Sequence, residues 1–217
     1  MRQKISRRTL AQSTLWSFPV IITSSTIPAY AASHLDYYWG ESQNQTLTKS
    51  GTSTTVDIYT TIPVSPEVAG FSIGYESGQA TDTTATMQKL EYYFMVPNAL
   101  TSSGSPQMYG STATYWTAPT KVTASTLQVS TGSGTYKTVS TSGYTLYKMT
   151  FKGPTTNPVV VEAKTTTWPG STLDISVFGS SSATQFTMYA GYSTSFTTAN
   201  GYTKTNSATI QQFVIRV

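Results

Sequence analysis

The sequence predicts an all-β fold, an antiparallel β-sandwich, on three observations. Apolar and polar residues alternate with period two over most of the chain beyond residue 50, the spacing of half-buried strands. Clusters of Gly, Pro, Asn and Ser break the alternation into runs of five to nine residues, which suits a sandwich or barrel. Ser and Thr make up about a third of the 217 residues, and 15 Tyr, 8 Phe and 4 Trp are spread among them. A disordered, mucin-like stalk would be poor in aromatics, so Thr-rich solvent faces of strands are the better explanation.

The runs follow in order. In "VDIYTTI", Val56, Ile58 and Ile62 oppose Asp57, Tyr59 and Thr61. In "LEYYFMV", Leu90, Tyr92, Phe94 and Val96 oppose Glu91, Tyr93 and Met95. In "YTLYKMTFK", Tyr147, Met149 and Phe151 oppose Lys148, Thr150 and Lys152. In "TLDISVF", Leu173, Ile175 and Val177 oppose Asp174 and Ser176. In "QFTMYAGY", Phe186, Met188, Ala190 and Tyr192 share a face, and at the end Phe213, Ile215 and Val217 oppose Gln212 and Arg216. Turn residues at 50–53, 131–134, 141–143 and 168–171 separate them. The segment 99–121 reads as the longest irregular stretch. Its Met108, Tyr109, Tyr115 and Trp116 predict a packed or contact-making loop within one domain of residues 32–217, in preference to a linker between two.

The first thirty residues carry a different signal. Arg2, Lys4, Arg7 and Arg8 form a positive head, an apolar stretch follows from Leu10 to about Ile27, and Ala29-Tyr30-Ala31 offers small residues at a cleavage site. That order predicts a secretory signal peptide over residues 1–31, and the short, broken apolar stretch argues against a permanent span. Ser6-Arg7-Arg8-Thr9-Leu10 resembles a twin-arginine export signal, and the segment through "IPAYAAS" looks like those of secreted actinobacterial proteins. The resemblance implies a location, secreted or at the cell surface of a Gram-positive-type bacterium, and is silent on the remaining fold.

Cleavage would change the electrostatics. Four of the 13 basic residues lie in the head, which leaves nine against nine acids. The remaining lysines are scattered, so a nucleic-acid partner is not expected. The chain has no Cys. It must therefore be held by its core without disulfides, and offers no lipid-modified Cys as an anchor.

Chemistry is sparse. His34 is the single histidine, and a Ser-His-Asp hydrolase would have to use it, with Asp36 close by in sequence. Full Cys/His coordination of a metal is out of reach, and the acids are widely spaced, with Glu76 and Asp82 the best oxygen pair. No phosphate loop and no Gly-x-Ser-x-Gly elbow occurs. Lys148 or Lys164 with Asn157 and Glu162 are conceivable members of an intramolecular Lys–Asn bond, against the simpler reading of solvated lysines. No catalytic residue, metal or cofactor is predicted. The remaining feature is aromatic: Tyr37, Tyr38 and Trp39 in "DYYWGE", with Tyr115 and Trp116, form a candidate ligand-binding patch, and Tyr93, Tyr109 and Trp168 are further candidates for exposure.

The stretch "TLYKMTFKGPTTNPVVVEAKTTTWPGSTLDISVFG" resembles the immunoglobulin-like modules of bacterial surface proteins in its succession of strand, turn, buried strand and Pro-Gly turn. The resemblance covers roughly 35 residues and implies an immunoglobulin-like sandwich. The expected function is a non-enzymatic adhesion or envelope-interaction domain whose partner is a surface protein or cell-envelope glycan. The alternatives are a carbohydrate-binding module using exposed Tyr and Trp, and a hydrolase whose site the sequence hides. A C-terminal strand at a sheet edge would be able to pair with another copy.

Overall fold

The structure, a computed structural model, describes residues 37–42, 44–59, 70–75, 84–132, 135–153, 159–160, 166–168, 170–198 and 203–216. The segment expected to be an export signal, with Arg7, Arg8, Ala29 and Ala31, lies outside the described residues, as does His34. The described chain is all-β and its strand pairs are antiparallel.

Four sheets account for it. The largest has six strands in the order β15 (Thr203–Arg216), β14 (Gln185–Thr198), β5 (Thr84–Pro97), β10 (Tyr144–Thr150) and β7 (Thr120–Lys121), with β11 (Val159–Val160) also on β5. A four-stranded sheet runs β2 (Asn44–Ser50), β3 (Ser53–Tyr59), β13 (Asp174–Ser180) and β6 (Gln107–Met108). A three-stranded sheet joins β1 (Tyr37–Ser42), β4 (Gly70–Tyr75) and β12 (Thr166–Thr167). The hairpin β8 (Thr126–Gly132) with β9 (Thr135–Ser140) stands alone. Gly51 makes the two-residue turn between β2 and β3, at φ 63°, where a side chain would be strained.

The expected alternation holds on both faces of the large sheet. Leu90, Tyr92, Phe94, Tyr147, Met149, Phe186, Met188, Ala190 and Tyr192 are buried in one cluster with Val56, Ile58, Leu173, Ile175 and Val177. Side chains of the four- and six-stranded sheets thus share a core. Each fully buried aliphatic or aromatic side chain there contributes about 1.5–3 kcal/mol. The opposite face of the large sheet carries a second cluster: Met95, Leu146, Tyr189 and Ile210 are covered by Val129, with Leu127 and Val139 of the hairpin packed beside them.

Two features depart from the sequence expectation. Strands β5, β14 and β15 have 14 residues each, longer than five to nine. Bulges hid their extent. Ser195 pairs with Lys89 but Phe196 with Met87, so Gln88 is an extra residue in β5. The core-facing series therefore runs Ala85, Met87 and then Leu90, a change of phase that alternation alone cannot follow. Segment 99–121 is not irregular throughout. It holds most of a 3-10 turn (Asn98–Thr101), strands β6 and β7, and helix α1 (Gly110–Tyr115). Tyr109 N–H donates to the Asp174 carbonyl (2.9 Å) and Thr117 N–H to the Thr150 carbonyl (2.9 Å), tying the segment to both larger sheets. Buried Thr112 completes the join: its hydroxyl accepts from Asp174 N–H (2.7 Å) and donates to the Thr172 carbonyl (3.1 Å).

Gly179 of β13 lies against this segment. A methyl group there would fall on the Ala99 carbonyl oxygen and the Leu100 backbone. Backbone cannot swing aside as a side chain does, so Gly179→Ala is expected to cost roughly 3 kcal/mol in urea unfolding. A variant as stable as the parent would refute this packing.

Candidate functional site

The hairpin covers only part of the outer face of the six-stranded sheet. Away from the hairpin, the β5 and β10 part of that face is polar and carries Glu91. Strand alternation puts Lys89, Glu91 and Tyr93 on this face of β5, and Lys148 stands opposite Tyr93 on β10. Tyr93 donates to Glu91 Oε2 at 2.8 Å, Lys89 Nζ lies 3.0 Å from the same oxygen, and Lys148 Nζ lies 3.2 Å from Oε1. The carboxylate is largely shielded, and the two ammonium groups reach solvent.

The electrostatics of this group are internally consistent. Burial pushes the Glu91 carboxyl upward, but the bonds from Tyr93, Lys89 and Lys148 and the charge of Lys89 outweigh it and hold the carboxyl below its ordinary value. Burial, then the bond to Glu91 and its negative charge, push the Tyr93 phenol up to about 12. At neutral pH the acid is ionised, the phenol keeps its proton, and both carboxylate oxygens are occupied. Such a network fixes two ammonium groups and a phenol around one carboxylate on the sheet surface.

Hydroxyl groups extend the polar face. Thr197 on β14 stands in register with Thr86 on β5 and Thr203 on β15, and its hydroxyl lies 3.0 Å from that of Thr203. Ser195, next along β14, lies 3.0 Å from Thr205. Gly191 faces Tyr93 and adds no side chain. Among the described residues no three His, Cys, Asp or Glu side chains come together as metal ligands. No helix among them is long and apolar enough to cross a membrane.

Of the aromatic patch expected from sequence, one member, Trp116, is placed in the core. Tyr37, Tyr38 and Trp39 lie on β1, paired with Tyr75, Gly74 and Ile73. Tyr115, at the end of α1, is half-buried against the main core. Trp116 is 0% exposed and is no part of an open platform. Its ring lies 5.2 Å from that of Phe151 and 6.3 Å from that of Tyr192, which explains its burial: it plugs the core where the 99–121 segment crosses. Trp168 is also buried. The exposed large aromatics among the described residues are Tyr109 (41%) and Tyr136 (55%). Glu76, Asp82, Asn157, Glu162 and Lys164 lie outside the described residues, and Lys148 is engaged by Glu91. The sequence did place Glu91, Tyr93 and Lys148 on outward faces; what it lacked was the cross-strand register that gathers them.

Two outcomes follow from these environments. The Tyr93 phenol keeps its proton to higher pH in the folded chain than in the unfolded one. Its contribution to stability is therefore present below pH 10, the ordinary tyrosine value, and is lost as pH rises from there to about 12. In the difference between parent and Tyr93→Phe absorbance titrations, one phenol should ionise near pH 12, and Glu91→Gln should lower that midpoint; an unmoved midpoint would dismiss the network. Trp116→Ala should lower stability by about 3–5 kcal/mol in denaturant unfolding, as loss of a core ring does, whereas a contact residue at the surface would leave stability unchanged. The sequence matches no protein-family model, and no curated protein matches it significantly.

Proposed function

We propose that the chain is a secreted or cell-envelope-associated, non-enzymatic interaction domain of a Gram-positive-type bacterium. In this reading its two larger sheets form an immunoglobulin-like β-sandwich, and the domain serves adhesion or protein/envelope contact. One observation carries the proposal: the part of the outer face of the six-stranded sheet that the hairpin does not cover presents Lys89, Glu91, Tyr93 and Lys148 beside rows of Thr and Ser hydroxyls. A face of this kind supplies many donors and acceptors in fixed register, with a net positive charge of one from two ammonium groups and one carboxylate. It suits a polar, extended partner, a surface protein or an envelope glycan. The N-terminal segment supports the location.

A second reading, a carbohydrate-binding module, is favoured by the exposed rings of Tyr109 and Tyr136, since flat aromatics stack on sugars. Co-sedimentation with cell walls and with insoluble polysaccharides separates the two. For the first reading the protein pellets with walls, soluble sugar does not release it, and Lys89→Ala with Lys148→Ala weakens retention on the order of tenfold. For the second, soluble sugar releases it and Tyr136→Ala or Tyr109→Ala removes retention. Protein that stays in solution with every wall preparation and captures no envelope protein would sink both.

A further inference from the structure

Strand β15 ends the order of the six-stranded sheet. It pairs with β14 on one side and with no strand of the described residues on the other. It approaches β2, the edge strand of the four-stranded sheet, but no ladder among the described residues joins the two. Natural edge strands are short, or carry Pro, bulges or inward charges that deter pairing. Between Thr205 and Ile215 this strand has no charge, no Pro and no Gly. Its one irregularity lies upstream, where Ser207 and Ala208 together stand against Ser193, so Thr209 to Arg216 is regular.

Two further observations mark the regular part. A cleft of about 420 Å³ is lined by Gln211, Gln212, Lys137 and the hairpin-tip residues Ser130, Thr131 and Gly132. The cleft thus lies between the hairpin tip and the regular stretch of β15, and Lys137 reaches across it to Gln212 Oε1 at 2.6 Å. Val214 is 47% exposed on the hairpin side of the same stretch, one of three large hydrophobic side chains left in solvent among the described residues.

We propose that a second copy of this chain adds its own β15 to this edge, antiparallel, with the two-fold axis at Gln212. Antiparallel edge-to-edge pairing about a two-fold axis places a residue opposite its own counterpart, because the outward-pointing backbone groups have the same parity in both copies. Centred on Gln212, the pair opposes Thr209 with Ile215, Ile210 with Val214 and Gln211 with Phe213, all within the regular stretch. Arg216 then faces Ala208 and meets no like charge. Each Val214 is brought beside the partner's Ile210, over which the partner's hairpin lies, and so leaves solvent. Centring on Ile210 would instead set Arg216 against Lys204, two like charges opposite each other, which is unfavourable. This assignment goes beyond the polar-face reading and uses a different surface.

The chain has no Cys, so one introduced thiol reports the register without interference. Opposed Cα atoms in an antiparallel pair lie about 4.5–5.5 Å apart, within disulfide reach. The purified protein should sediment at twice the mass of one chain. Gln212→Cys should give a disulfide-linked dimer on a non-reducing gel, and Thr203→Cys, outside the overlap, should not. Val214→Lys should raise the dimer dissociation constant on the order of tenfold with an unchanged far-UV circular dichroism spectrum. A single-chain mass at every concentration, or Thr203→Cys linking as readily as Gln212→Cys, would overturn the assignment.

Discussion

The packing of aromatic rings around Tyr192 is the constraint on which the fold depends. Its ring lies 4.8 Å from Tyr92, 6.1 Å from Phe71 and 6.3 Å from Trp116. Tyr92 continues to Phe94 and Phe94 to Tyr147, at 5.9 and 5.0 Å, while Trp116 continues to Phe151. One connected set of rings therefore links three neighbouring strands of the large sheet, strand β4 of the three-stranded sheet and the crossing segment that carries Trp116. Such pairs add about 0.5–1.5 kcal/mol each beyond the area they bury. In a chain without disulfides these ring contacts fix the smaller pieces onto the large sheet, while the polar joins at Thr112 and Ser171 tie α1 to the start of β13 and the 168–171 turn to β4. Ser171 accepts from Phe71 N–H and donates to the Phe71 carbonyl, both at 3.1 Å, and so pins β4 beside the ring cluster.

A sheet built this way has two unlike faces. The inner one is dry and aromatic. The outer one is apolar beneath the hairpin and at exposed Val214, and polar around Glu91. A strand residue chooses its face by parity, so Glu91 and Tyr93 are presented outward by the same alternation that buries Tyr92 and Phe94. The candidate site and the core are two readings of one strand. A substitution that shifted the register of β5 by one residue would exchange them.

The share of this that the sequence disclosed is itself physical. Period two revealed the buried face of β5, β10, β13 and β14 residue by residue, because burial of alternate side chains is a local pattern. It failed at Gln88 and at Ser207-Ala208, where one strand gains a residue on its partner and the phase changes. It also misjudged Trp116 and Trp168. An aromatic in a Gly- and Pro-rich segment looks like a contact residue, but here the segment folds back on the sheets and its rings fill the core. The gathering of Lys89, Glu91, Tyr93 and Lys148 was beyond reach, since Lys148 comes from a strand nearly sixty residues away and only register brings it opposite Tyr93.

The long central pairing of β5 with β14 joins residues 85–95 to 189–198. About a hundred residues separate the partners, so closing that ladder is costly in chain entropy and late in time. During synthesis β5 must wait, uncovered on its β14 side, until residues 189–198 have emerged about a hundred residues later. The core cannot assemble progressively from the amino end; it closes only when the penultimate strand arrives. A nascent chain of this design stays open until β14 is available, and compaction then comes as one late, cooperative step.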